Sequence, residues 1–195
     1  MKVKICGVMT SEDAVMCEDL GADAIGFIYF PGRTRSLPLG KIAEISSSLG
    51  PLTTKVLVCA PNSTSEAVEM LHTSKVDALQ LYSLVPDEIR ELRSLGLRVF
   101  RVVHPVREQA LKFSNAADAL VFEGGAPGSG SSYDYAKVPL DCCRKAIIAG
   151  GLTPSNLHLA KSLRPYGLDV SSGVETSVGR KDPELVSQFI KRCRE

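Results

Sequence analysis

Two short apolar runs near the carboxyl terminus end in residues suited to hold an anion. They are Ala146-Ile147-Ile148-Ala149-Gly150-Gly151 and Leu168-Asp169-Val170-Ser171-Ser172-Gly173. An unbroken apolar run of this length reads as a strand buried on both faces, as in a parallel sheet. Glycine and serine at its carboxyl end let the backbone approach a ligand closely and present N–H groups to it. When a helix start follows, phosphate is the usual guest. Two tight turns with no ligand are the alternative, and Ser171-Ser172-Gly173 directly after a buried strand argues against it.

The elements that position these residues alternate regularly. Strands are expected over 3–8, 24–30, 55–60, 78–82, 98–104 and 119–123, and the two runs above make eight. Between them lie helical patterns with their own signals. Thr10 with Asp13 and Ser63 with Glu66 are spaced as capping boxes, and Pro86 suits a first helical turn. Thr153-Pro154 and Asp182-Pro183 pair a cap with a proline. A helix of weak pattern is expected over 135–145. Strand–helix alternation means a parallel sheet with right-handed crossovers, and eight units predict a closed (β/α)8 TIM barrel, an α/β fold. At 195 residues the barrel is near the lower size limit and fills one domain, 1–195. A doubly wound open sheet would carry a glycine-rich loop after the first strand, which Cys6-Gly7-Val8-Met9-Thr10 is not.

Composition bounds the function. A net charge of +1 gives no field for nucleic acid or an acidic membrane surface. The longest apolar runs are strand-sized, and the start of the chain does not resemble a signal peptide. Six cysteines without a C-x-x-C pair suit a reducing cytosol and no structural zinc. In a TIM barrel the active site lies at the carboxyl ends of the strands, with phosphate beyond the seventh and eighth. That rule selects Cys6, Arg35, Glu123, the loop Gly128-Ser129-Gly130, Gly150-Gly151 and Ser171-Ser172-Gly173 by position alone.

Lys4-Ile5-Cys6-Gly7, Gly26-Phe27-Ile28 with a loop bearing Arg35, Gln80-Leu81, Gly128-Ser129-Gly130 with Tyr133-Asp134-Tyr135, Ala149-Gly150-Gly151-Leu152 and Asp169-Val170-Ser171-Ser172-Gly173-Val174-Glu175 follow one another in order. The series resembles the phosphoribosylanthranilate isomerases of tryptophan biosynthesis over nearly the whole chain. The resemblance implies a barrel without cofactor or metal. The reaction it implies is the Amadori rearrangement of N-(5-phosphoribosyl)anthranilate to the carboxyphenylamino-deoxyribulose phosphate. By the same resemblance Cys6 is the general base, Arg35 binds the anthranilate carboxylate, and the loops after strands six, seven and eight hold phosphate. Asp169 matches the family's aspartate on strand eight, where it orients substrate or bonds inside the barrel mouth.

The residue types agree with that chemistry. Ring opening needs a carboxylic acid held partly protonated. Removal of the C2 proton needs a base, and a thiolate serves if nearby positive charge lowers its pKa. Arginine's planar fork suits a carboxylate. Without the resemblance, Cys6 would read as a small buried hydrophobe and Arg35 as a solvated loop charge.

Two departures stand out. The family's acid position falls on Glu123, not aspartate, an arm one methylene longer. Tyr82 stands where the family has histidine, a change given little weight because that histidine transfers no proton. Asp118 precedes its strand and should lie at the opposite face. Two other readings are carried: a different ribose-phosphate isomerase or epimerase, which leaves Cys6 and Arg35 together unexplained, and an impaired barrel that only binds phosphorylated ligands. A monomer and a homodimer both fit.

Overall fold

The computed structural model describes residues 1–125 and 131–195, so Gly128, Ser129 and Gly130 lie outside the described residues. Eight parallel strands close into a barrel in sequence order. They are β1 (Lys2–Cys6), β2 (Ala24–Ile28), β3 (Thr54–Cys59), β4 (Ala78–Leu81), β5 (Arg98–Val103), β6 (Ala119–Glu123), β7 (Ala146–Ala149) and β8 (Gly167–Val170). Closure is made by β8 on β1, with Ile5 opposite Val170 and Lys4 opposite Asp169.

The helices are α1 (Ser11–Asp19), α2 (Leu39–Ser46), α3 (Thr64–Ser74), α4 (Pro86–Ser94), α5 (Arg107–Phe113), α6 (Leu157–Lys161) and α7 (Pro183–Arg194). The expected caps form. Thr10 Oγ1 accepts from the Asp13 N–H at 3.1 Å, and Ser63 Oγ from the Glu66 N–H at 3.2 Å. Asp182 Oδ1 accepts from the N–H groups of Glu184 and Leu185 at 2.8 and 3.0 Å. Thr153 closes a turn instead, accepting from the Asn156 N–H at 3.2 Å, and α6 begins only at Leu157.

The expected helix over 135–145 is replaced by two 3-10 turns, Tyr135–Lys137 and Leu140–Cys142. Pro139 lies between them, and a proline lacks the N–H and clashes with the turn before it. A hairpin not foreseen in the sequence, β9 (Glu175–Ser177) with β10 (Arg180–Lys181), follows β8 and turns at Gly179.

Side chains alternate across the barrel wall with a period of two. Ile5, Leu79, Phe122 and Leu168 point outward into the main core, where they meet Ile42, Ile45, Ile89, Leu92 and Phe189 of the helices. Val102, Ala119, Val121, Ile147 and Ala149 form a smaller cluster inside, with Phe100 and Tyr82 against it. The same alternation on β1 turns Lys4 and Cys6 away from the Val3 and Ile5 face, and Cys6 opens onto the cavity at the carboxyl ends of the strands.

Candidate active site

One cavity at the carboxyl ends of the strands collects Cys6, Glu123, Arg35 and Asp169. Gly150, Gly151, Ser171 and Ser172 line it from the ends of β7 and β8. Gly173 lies one residue beyond, pressed on the neighbouring loop: a Cβ there would sit 1.9 Å from the Leu152 carbonyl oxygen. Asp118 is at the far end of β6, as expected, where it accepts from Arg93 Nε at 3.0 Å and from the Val99 N–H at 2.9 Å.

Cys6 stands in a buried ionic cluster. Lys4 Nζ donates to Asp169 Oδ2 at 2.8 Å, both side chains being almost fully enclosed. The Lys4 ammonium also interacts with the Cys6 sulfur. Gly26 of the adjacent strand makes the room: a Cβ there would lie 2.8 Å from Cys6 Sγ and 3.0 Å from Lys4 Nζ. Burial pushes the Cys6 thiol above its ordinary range, and the charges of Lys4 and Lys181 only partly oppose it. Positive charge stands beside the sulfur, yet desolvation outweighs it. Burial likewise pushes the Asp169 carboxyl up against the pull of Lys4. Its second oxygen, Oδ1, is buried and has no hydrogen-bond partner among the described residues.

Across the mouth, Tyr82 donates its hydroxyl to Glu123 Oε2 at 2.6 Å. Burial, then the Glu123 charge, pushes the Tyr82 hydroxyl pKa far up, so it stays a donor. The sequence reading gave Tyr82 little weight, but it is a direct partner of the carboxylate. The signal that could have found it is the strand period: Gln80 and Tyr82 share a side of β4 and line the cavity together.

Arg35 is engaged before any substrate arrives. Its Nε and Nη2 donate to the two oxygens of Glu175 at 3.0 and 2.7 Å. Lys181 Nζ, fully enclosed, donates to the same carboxylate at 2.8 Å and to the Ser171 carbonyl at 3.1 Å. Gly7 permits the crossing, with φ at +70° and Arg35 Cδ 2.9 Å from where a Cβ would stand. Although burial opposes ionisation of Glu175, the bonds from Arg35 and Lys181 win and hold its carboxyl below the usual range. A carboxyl so depressed stabilises the fold above its unfolded value of 4.5, and the contribution disappears as pH falls through the lower folded value. Glu175→Gln should therefore flatten the dependence of Tm on pH below 4.5; an unchanged slope would show that the network adds no pH-linked stability.

Among the described residues no group of three or more His, Cys, Asp or Glu side chains is arranged to hold a metal ion, and no helix is long and apolar enough to cross a membrane.

Positions 3–192 match the family model described as N-(5′-phosphoribosyl)anthranilate (PRA) isomerase. A curated relative of that name from Methanoregula boonei is 39% identical over 200 residues, covering 100% of this chain and 97% of its own. The crystal structure of the phosphoribosyl anthranilate isomerase of Thermus thermophilus shares 34% identity with a TM-score of 0.90, covering 100% of this chain and 98% of that one. Another isomerase, solved in complex with reduced 1-(o-carboxyphenylamino)-1-deoxyribulose 5-phosphate, shares 27% identity with a TM-score of 0.88 over 100% of this chain and 98% of that one. With a family match over nearly its full length, on a closed barrel of the same architecture, this chain belongs to the N-(5′-phosphoribosyl)anthranilate isomerase family.

Proposed function

We propose that the chain converts N-(5-phosphoribosyl)anthranilate to 1-(2-carboxyphenylamino)-1-deoxyribulose 5-phosphate, the third step of tryptophan synthesis from chorismate. The observation that carries the reading is one cavity holding Cys6 and Glu123 together with Arg35 and the Gly150-Gly151 and Ser171-Ser172 strand ends. A ribose-phosphate isomerase would have no use for Cys6 and Arg35 at one site.

In this reading Glu123, as acid, protonates the ribose ring oxygen. The C1–O bond breaks while the anilino nitrogen lone pair forms the C1=N bond, giving a protonated Schiff base. Cys6, as thiolate, removes the C2 proton, and the electron pair moves to C1=C2 and back to nitrogen. The enaminol then becomes the ketone by proton transfer from the C2 hydroxyl to C1. The raised thiol fits this order of events. Ring opening creates a cation near Cys6, and an opposite charge favours the thiolate, adding what Lys4 alone does not supply. The Gly150, Gly151, Ser171 and Ser172 backbone receives the phosphate. Arg35 reads the anthranilate carboxylate with the part of its guanidinium left beside Glu175, and Asp169 Oδ1 accepts from a substrate hydroxyl. The enzyme acts on this small phosphorylated molecule in the cytosol, without cofactor, nucleic acid or membrane, as a monomer or homodimer.

Purified protein should abolish anthranilate-type fluorescence when mixed with freshly made phosphoribosylanthranilate. Folded protein that binds product but gives no turnover would overturn the reading.

A further inference from the structure

We propose that Tyr82 is a positioning residue for the acid: its hydroxyl fixes the glutamate arm of Glu123. The inference rests on the reading of Glu123 as acid given above and goes beyond it.

A glutamate side chain has three torsions, and an acid that wanders among rotamers spends little time in reach of a ring oxygen. Glu123 ends β6 and is held there by backbone pairing with Ala149. Tyr82 approaches from across the mouth and seizes one oxygen, Oε2, at 2.6 Å. The tyrosine is itself rigidly placed. Its N–H donates to the Cys59 carbonyl at 3.1 Å, anchoring it at the end of β4. Its ring packs edge-on against Phe30, with centroids 5.4 Å apart and planes at 86°. A phenol has only two side-chain torsions before its hydroxyl, so little freedom is lost in forming the bond. On the other side, Gly150 lies close enough that a Cβ there would be in ordinary contact with Glu123 Cγ, at 3.5 Å.

The bond also fixes the roles of the pair: the phenol donates and the Glu123 carboxylate accepts. The phenol, buried and beside a carboxylate, does not exchange roles by giving up its own proton.

The test is a double-mutant cycle of Tyr82→Phe and Glu123→Asp, followed by single-turnover measurements with enzyme in excess so that slow variants stay in range. Phenylalanine keeps the ring against Phe30 and removes only the hydroxyl. Tyr82→Phe alone should lower kcat ~10- to 100-fold, as expected for a reacting group misplaced by a fraction of an ångström to ~1 Å. KM should change by less than ~3-fold, because the hydroxyl acts through the acid it is bonded to. In the Glu123→Asp background the shorter arm does not reach the phenol, so Tyr82→Phe should change kcat by less than ~2-fold. An equal loss in both backgrounds would make the effect one of packing and overturn the proposal. So would an unchanged kcat in the single variant, or a change confined to KM. Glu123→Ala separates this from the underlying reading: full turnover in that variant removes Glu123 as acid whatever Tyr82 does.

Discussion

Cys6→Ser is expected to lower kcat by about 10³-fold, the middle of the range for loss of a positioned general base. Serine keeps the shape of the site but not its chemistry, because its hydroxyl ionises far less readily than a thiol. Cys6 lies beside Lys4 and Gly26 and in the proposed mechanism takes no part in holding phosphate, so product affinity should change little. The measurement is the rate of fluorescence loss on phosphoribosylanthranilate, with product binding followed separately by titration. Turnover at the level of the unchanged protein would remove Cys6 from the mechanism.

Lys4→Met should act on stability and on pH dependence together. It leaves the Asp169 carboxyl buried, with Oδ2 losing its 2.8 Å bond and Oδ1 already without a partner among the described residues. Breaking one side of a buried ion pair costs about 3–5 kcal/mol. Urea unfolding should show that loss, and Lys4→Met with Asp169→Leu should recover much of it, because no charge is then stranded. The catalytic effect has a definite sign. Lys4 opposes the upward pull of burial on the Cys6 thiol, so without it the thiol rises further. The rise of kcat/KM with pH should move to higher pH in Lys4→Met. A profile that stays in place would show that the ammonium does not set the ionisation of Cys6.

The barrel was legible because its strands are unbroken apolar runs and its helix starts carry side chains that cap. The helix expected over 135–145 failed at Pro139, where a local rule outweighed the pattern of alternation. The lining of the cavity was legible where backbone character marks it, as at Gly150-Gly151 and Ser171-Ser172. The partners of those residues were harder. Lys4 is a charged residue in the middle of a strand, and only counting back by two from Cys6 puts it on the inner face with Asp169, which lies 165 positions away. Nothing local predicts that Glu175 meets Arg35, 140 positions earlier, or that a hairpin returns Lys181 to the same carboxylate. Tyr82 was visible as a departure, but its meaning depends on the distance to Glu123, which only closure of the barrel sets.

Cys6, the base of the proposed reaction, owes its space to a neighbour that carries no side chain. At Gly26 even a methyl group would come within 2.8 Å of the sulfur and 3.0 Å of the ammonium. Position 26 is thus expected to be closed to mutational drift although it offers no group for chemistry. Alanine there would force Cys6 and Lys4 apart, and larger residues would expel one of them. A library of variants scored for growth without tryptophan would find this silent position as intolerant as the cysteine beside it.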